Sequence, residues 1–223
     1  QITPLKGVFG PAMTEYVMGW LLAIERNVIS RSSHTHWSPS PEPRITGKRL
    51  GIMGTGGIGT VIALAARSFG LAVSGLNSDG RAVDGFTTCY RSADRLAFAE
   101  GLDYLVSVLP QTSQTDNLID HELLMRLNPQ AIVMNLGRGN AVVEAELIAS
   151  LNAGHLRAAV LDVFREEPLP IDDPLWSTPG VHITSHTAGP TPDEAIGEVF
   201  DRNLKLYIAG ESLIDAVLAS RGY

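Results

Sequence analysis

An arginine, a glutamate and a histidine, far apart in the chain, are the side chains best suited to acid-base work on a small anion. They stand in Asn135-Leu136-Gly137-Arg138-Gly139, in Asp162-Val163-Phe164-Arg165-Glu166-Glu167-Pro168 and in His182-Ile183-Thr184-Ser185-His186-Thr187-Ala188-Gly189. An imidazole exchanges protons near neutral pH, a carboxylate can hold its second ring nitrogen, and a guanidinium grips a carboxylate through a rigid fork of donors. Taken singly, each has an ordinary structural reading: a surface ion pair, one acid in a solvated run, a satisfied loop histidine. Each segment also follows a short apolar run, so parallel strands would bring all three to one edge of a sheet.

A fourth segment, Gly54-Thr55-Gly56-Gly57-Ile58-Gly59, fits the pattern G-x-G-x-x-G between the apolar run Leu50-Gly51-Ile52-Met53 and a helical pattern. In that setting the first glycine permits a tight turn, the second lets the backbone approach a pyrophosphate, and the third packs helix on strand. Backbone amides of Gly57 and Ile58 at the helix N-terminus are the candidate donors. The next strand should end in an acid that binds the ribose hydroxyls of NAD, but it runs Leu76-Asn77-Ser78-Asp79-Gly80-Arg81. Asn77 takes the acid's place with Ser78 beside it, and Arg81 can reach a 2′-phosphate. This leans toward NADP without excluding NAD, and an ordinary polar turn remains the alternative.

The elements needed to position these residues are legible in the periodicity. Apolar runs over residues 49–53, 72–76, 104–109, 131–136, 158–162 and 181–184 read as strands, and residues 58–69, 121–127 and 144–153 as helices between them. This alternation predicts a doubly wound parallel sheet of α/β class, with ligands at the strand C-termini. Ahead of it, Met13, Val17, Leu21, Ile24 and Val28 recur at helical spacing, which predicts one helix over residues 11–31. Residues 32–44 are rich in proline and serine and read as an exposed arm. A last helix is expected over residues 192–209.

The chain has 223 residues and a net charge of -7, which disfavours a broad basic footprint for nucleic acid. A small acidic substrate would need local cations. No apolar run reaches the roughly 18 residues of a membrane span. With one cysteine, Cys89, the simplest compartment is a reducing, cytoplasmic one. His34 and His36 lack a matching ligand set, so no metal site is expected.

The order and spacing of these motifs resemble the D-isomer-specific 2-hydroxyacid dehydrogenase family over essentially the whole chain. Residues 162–176, DVFREEPLPIDDPLW, and the terminal Ser220-Arg221-Gly222-Tyr223 look most like its glyoxylate/hydroxypyruvate reductase A branch. That branch tends to favour NADPH, in keeping with Asn77. The resemblance implies a Rossmann-type lobe, residues 1–191, with a hinge and dimer helix over 11–31 and an arm over 32–44. Residues 192–223 would return to a substrate lobe, of which about 90 residues are expected before Gln1.

The activity implied is reduction of a small 2-oxo acid, such as glyoxylate or hydroxypyruvate, to the D-2-hydroxy acid. Arg138 would hold the substrate carboxylate, His186 would protonate the carbonyl oxygen, and Glu167 would hold the other imidazole nitrogen. Asp162 would orient the nicotinamide carboxamide, near Gly189, and Pro110, Leu136 and Gly137 would complete the cofactor contacts that the resemblance implies. Ser185 replaces the proline common before the histidine, which puts the geometry of His186 in question. A homodimer through helix 11–31 and the arm is also implied. The competing reading is a nucleotide-binding sensor or scaffold without turnover, and formate-dehydrogenase-like chemistry is disfavoured because Glu167 stands where that branch has an uncharged amide.

Overall fold

A computed structural model describes residues 2–37, 39, 41, 43–191 and 193–216. The terminal motif at 220–223 and the expected helix start at Pro192 lie outside these residues, as do Ser38, Ser40 and Glu42 of the arm. In chain order the elements are α1 (Gly10–Glu25), α2 (Val28–Ser32), β1 (Arg49–Met53), α3 (Gly57–Ser68), β2 (Ala72–Asn77), β3 (Thr88–Arg91) and α4 (Arg95–Ala99). They continue as β4 (Tyr104–Ser107), α5 (His121–Leu124), β5 (Ala131–Asn135), α6 (Glu144–Asn152), β6 (Leu156–Leu161), β7 (Val181–Ile183) and α7 (Asp193–Ile208).

The seven strands form one parallel sheet in the order β3-β2-β1-β4-β5-β6-β7. The order reverses direction between β1 and β4, and the crevice at that switch point is where doubly wound sheets bind ligands. Apolar side chains cover both faces. Leu50, Ile52, Val106 and Ile132 pack with Val17 and Leu21 of α1 and Ile62 and Ala66 of α3. Leu105, Val133 and Leu161 pack with Phe98 of α4, Leu123 of α5 and Leu147 of α6 on the other side. Burial on both faces explains why these strands read as continuous apolar runs rather than as alternation.

The expected helix over residues 11–31 is two helices. It breaks at Asn27, whose φ of 50° lies in the left-handed region that asparagine tolerates better than most residues. Arg157 of β6 stabilises the break by donating to the Ile24 carbonyl at 2.7 Å and to Asn27 Oδ1 at 3.0 Å. Just before the break, Glu25 is buried and accepts from Lys48 Nζ at 2.5 Å, with Arg157 Nη1 at 3.4 Å. These ion pairs fasten the end of α1 to the N-terminal edge of the sheet, and removing one partner of such a buried pair costs about 3–5 kcal/mol.

Two further expectations need correction. The helix expected over 121–127 ends at Leu124, because Arg126 N and Leu127 N bond three residues back, to Leu123 and Leu124, and wind the last turn too tightly for an α-helix. Strand β3 and helix α4 add to the expected elements; β3 is a short edge strand whose four residues are partly or fully exposed, so it lacks an apolar run. Helix α7 carries an apolar stripe of Ile196, Phe200, Leu204 and Tyr207, each well exposed.

Candidate active site

Parallel strands deliver Arg138, Glu167 and His186 to one place. Arg138 follows β5, Glu167 follows β6 and His186 follows β7, and all three line a cleft of about 500 Å³ with Gln111, Asn140 and Phe164. Two close approaches fix the arginine's turn. A Cβ at Gly137 would run into the Leu109 backbone and one at Gly139 into the Phe164 backbone, so only glycine fits on either side of Arg138. Asn135 holds the same turn from below, accepting from Gly137 N at 3.3 Å and donating to the Arg138 carbonyl at 3.0 Å. Among the described residues no carboxylate lies within ion-pair distance of Arg138.

His186 Nδ1 lies 2.8 Å from Glu167 Oε2. The other carboxylate oxygen accepts from Phe164 N at 2.9 Å, which fixes the glutamate in place. Partial burial pushes the Glu167 carboxyl up, but the hydrogen bonds from His186 and Phe164, with the charges of His186 and Arg138, outweigh it and hold the group below the ordinary glutamate value. With Nδ1 engaged, the imidazole has Nε2 left for a ligand. Ser185 in place of proline does not prevent this pairing.

The loop carrying the histidine is organised by Asp162. That residue is 2% exposed, and its carboxylate accepts from Thr184 Oγ1, from Thr187 N at 2.8 Å and from Ala188 N at 2.9 Å. Its carbonyl accepts from His186 N at 2.8 Å. The loop needs such anchoring, since His186 has a φ of 56°, an unusual conformation costing roughly 1–3 kcal/mol. Asp162 therefore serves this loop with most of its acceptor capacity.

The glycine turn has the geometry its sequence implies. Gly54 has a φ of 104°, and a Cβ at Gly59 would meet the Gly54 carbonyl oxygen, so helix and strand touch there. A Cβ placed at Gly56 or at Gly57, in contrast, would have nothing within 4 Å. Open space over Gly56, and an α3 N-terminus with no side-chain cap, fit a pyrophosphate laid against the backbone amides of Gly57 and Ile58.

At the end of β2, Asn77 points into the protein. It donates to Thr55 Oγ1 at 3.0 Å and to the Arg81 carbonyl at 2.9 Å, and accepts from Gly80 N at 2.6 Å. It thus ties the glycine turn to the turn after β2. Ser78 follows it, and Arg81 is exposed and paired with Asp79 at 3.0 Å. Arg91, opposite Asn77 in the β2–β3 register, is a second cation at this edge that sequence reasoning misses along with β3. The run Thr88-Cys89-Tyr90, rich in strand-forming residues and followed by the arginine, is the available signal. Pro110, Leu136 and Gly189 lie on the strand-end loops after β4, β5 and β7.

Asp116 and Arg165 also line the cleft, beyond the residues expected there. Asp116 accepts from Asn140 Nδ2 at 2.6 Å, while Arg165 is a strut that donates to the Val142 and Asn140 carbonyls at 2.9 and 2.8 Å and to Asn117. No motif marks Asp116, and Arg165, although inside the segment 162–168, carries no signal there that sets it apart as a strut.

A parallel sheet with a glycine-rich turn at its switch point, and a histidine–glutamate pair on the same edge, is the architecture of a dinucleotide-binding domain. The chain belongs to the D-isomer specific 2-hydroxyacid dehydrogenase family, whose NAD binding domain matches residues 18–188. It is 33% identical over 214 residues to glyoxylate/hydroxypyruvate reductase A of Yersinia enterocolitica, covering 95% of this chain and 68% of that protein. A D-isomer specific 2-hydroxyacid dehydrogenase family protein of Aeromonas salmonicida superposes with a TM-score of 0.92 at 37% identity, over 98% of this chain and 71% of that one. The NADPH-dependent glyoxylate/hydroxypyruvate reductase of Sinorhizobium meliloti, solved with NADP and sulfate, gives 0.89 at 28% identity, over 97% and 71%.

Proposed function

We propose that the chain carries the cofactor half and the acid-base pair of a reductase that converts a small 2-oxo acid of the glyoxylate or hydroxypyruvate type into the D-2-hydroxy acid. The observation that carries this reading is the 2.8 Å contact between His186 Nδ1 and Glu167 Oε2 beside Arg138, in one cleft. Arg138 binds the substrate carboxylate and draws charge toward the carbonyl. His186, protonated and held by Glu167, gives the Nε2 proton to the carbonyl oxygen. Gly56, Gly57 and Ile58 would hold the cofactor pyrophosphate, Asp162 and Gly189 would border its nicotinamide end, and the bound nicotinamide supplies the hydride.

The absence of an acid at Asn77, together with Arg81 and Arg91, supports NADP over NAD, as does the NADP held by the Sinorhizobium relative. By its exposed apolar stripe, α7 would pack against a substrate lobe, with residues 192–223 returning to it. The α1 surface and the arm, where Trp37 is 93% exposed, would meet a second copy. One cysteine favours a reducing, cytoplasmic setting, and no helix among the described residues is long and apolar enough to cross a membrane. NADPH oxidation measured with glyoxylate and hydroxypyruvate, against the His186→Ala variant, tests the reading; undiminished turnover in that variant removes His186 from its role. NADPH binding with no turnover of any 2-oxo acid would favour the sensor or scaffold reading.

A further inference from the structure

Helix α1 reaches the catalytic loop by a route that no motif announces. The Tyr16 hydroxyl lies 2.6 Å from Thr184 Oγ1, and Thr184 Oγ1 donates to Asp162 Oδ1. Asp162 in turn receives Thr187 N and Ala188 N on its carboxylate and His186 N on its carbonyl. We propose that Tyr16 and Thr184 are positioning residues for His186, acting through Asp162 along this chain of hydrogen bonds. The proposal rests on the reductase reading only for its kinetic consequence; the placement of the loop can be read without turnover.

The direction of the chain follows from proton counting. Thr184 has one hydroxyl proton, and it is given to Asp162. The short contact with Tyr16 therefore has to use the tyrosine proton, so Tyr16 donates to Thr184 and Thr184 to Asp162. Hydrogen bonds in such a series polarise one another, and each link strengthens the next. Burial keeps the tyrosine in its donating form by pushing its ionisation above the ordinary tyrosine value.

Tyr16 is held at the start of this chain by packing. Its ring lies 6.3 Å from that of Trp20, and the Trp20 ring lies 4.9 Å from the His182 ring on β7. One face of α1 is thus fitted to the edge strand that leads into the histidine loop, while Met13, Val17 and Leu21 are buried toward the core. A loop whose histidine occupies the left-handed region relaxes unless several bonds oppose it, and four of those bonds converge on Asp162. Without the tyrosine hydroxyl, Thr184 can turn to another rotamer and withdraw one of the four.

The test compares Tyr16→Phe, Thr184→Val and Thr184→Ser with the parent chain. Phenylalanine and valine keep shape and remove the hydroxyl, whereas serine keeps the hydroxyl. Amide hydrogen exchange read at His186, Thr187 and Ala188 should quicken roughly five- to tenfold in Tyr16→Phe, the size expected for one lost hydrogen bond, and at least as much in Thr184→Val, which loses both bonds of that hydroxyl. Exchange in β4 and β5 should stay unchanged, and Thr184→Ser should restore slow exchange in the loop. In turnover the two hydroxyl-deleting variants should lower kcat with little change in NADPH affinity, and their effects should not add. Unchanged loop exchange in Tyr16→Phe overturns the proposal even if the enzyme is an active reductase. Quickened exchange across the whole domain assigns Tyr16 a merely structural role and also overturns it. Quickened loop exchange in a chain that reduces no 2-oxo acid upholds the positioning and sinks the reductase reading alone.

Discussion

Glu167 and His186 form a pair in which only one partner can turn. Oε1 of the glutamate is held by Phe164 N at 2.9 Å while Oε2 lies 2.8 Å from His186 Nδ1, so the imidazole is oriented by a fixed acceptor. The side chains of His186 and Glu167 are 50% and 37% exposed and both line the cleft, so the pair is open to water.

The pair sets the pH dependence. Glu167 is held below the ordinary glutamate value, so its carboxylate stays ionised to lower pH than a free glutamate does, and the acid limb of the kcat profile should fall below the ordinary glutamate range. Replacing Glu167 with Gln removes that ionisable group, and the acid limb it causes should disappear. A profile measured for both proteins checks this; an acid limb that survives in Glu167→Gln would show that Glu167 is not the group behind it.

Two glycines of the same turn should respond oppositely to a side chain. At Gly56 a Cβ meets nothing and the backbone is extended, so Gly56→Val should leave thermal stability nearly unchanged while weakening NADPH binding tenfold or more, by roughly the 1.4 kcal/mol that tenfold represents. At Gly59 the Cβ would strike the Gly54 carbonyl oxygen, so Gly59→Val should lower stability by about 1–3 kcal/mol, the usual cost of overpacking. Fluorescence titration and thermal melts separate the two. Equal NADPH affinity in Gly56→Val would leave the turn without its assigned ligand.

Most of the scaffold and the site is legible in the sequence because it depends on local pattern. Strands buried on both faces announce themselves as apolar runs, and a strand-end residue such as Arg138 inherits its place from them. What escapes is carried by tertiary contacts. Strand β3 is an exposed edge with no apolar run, so Arg91 stays hidden with it; the break at Asn27 depends on Arg157, 130 residues away. The position of Asn77 at a strand end suggests a cofactor contact, and only the fold reveals that its side chain also organises the turn.

Cofactor choice should follow from the charges at the ends of β2 and β3. Arg81 is tied to Asp79, which competes with a 2′-phosphate for the guanidinium. Removing the competitor in Asp79→Ala should improve NADPH binding more than NADH binding, and Arg81→Ala should do the reverse, each by a few-fold because both groups are exposed. Titration of both nucleotides at low and physiological salt checks the direction. A clear preference for NADH in the parent chain would mean that Asp79 rather than the arginines governs the site.

Assembly is open to a simple measurement. Light scattering of the chain over a range of concentrations should give a dimer, because exposed Trp37 and the partly buried Trp20 and Leu22 of α1 leave apolar surface that a second copy would cover. Trp37→Ser should weaken the dimer. A monomer at high concentration would return α1 to a role within its own domain.

The 223-residue chain by itself should bind NADPH and reduce glyoxylate or hydroxypyruvate only slowly. The side chains of His186 and Glu167 are 50% and 37% exposed, so a substrate bound to Arg138 would keep water on its open side. Catalysis of this kind gains from a closed, dry site in two ways: the charge interactions of Arg138 and the imidazole strengthen when water is excluded, and the carbonyl is held at one angle to the proton donor. The chain spans 68% of its Yersinia relative, which offers a direct comparison. Steady-state NADPH oxidation by the two proteins at matched concentration, with NADPH affinity measured separately, distinguishes a weak cofactor site from an open substrate site. Comparable NADPH affinity with turnover lower by at least about a hundredfold is the expected result, well within what loss of orientation costs. Equal turnover in the two would mean that the described cleft closes on its own substrate, and the exposure of His186 would then need a loop movement to explain it.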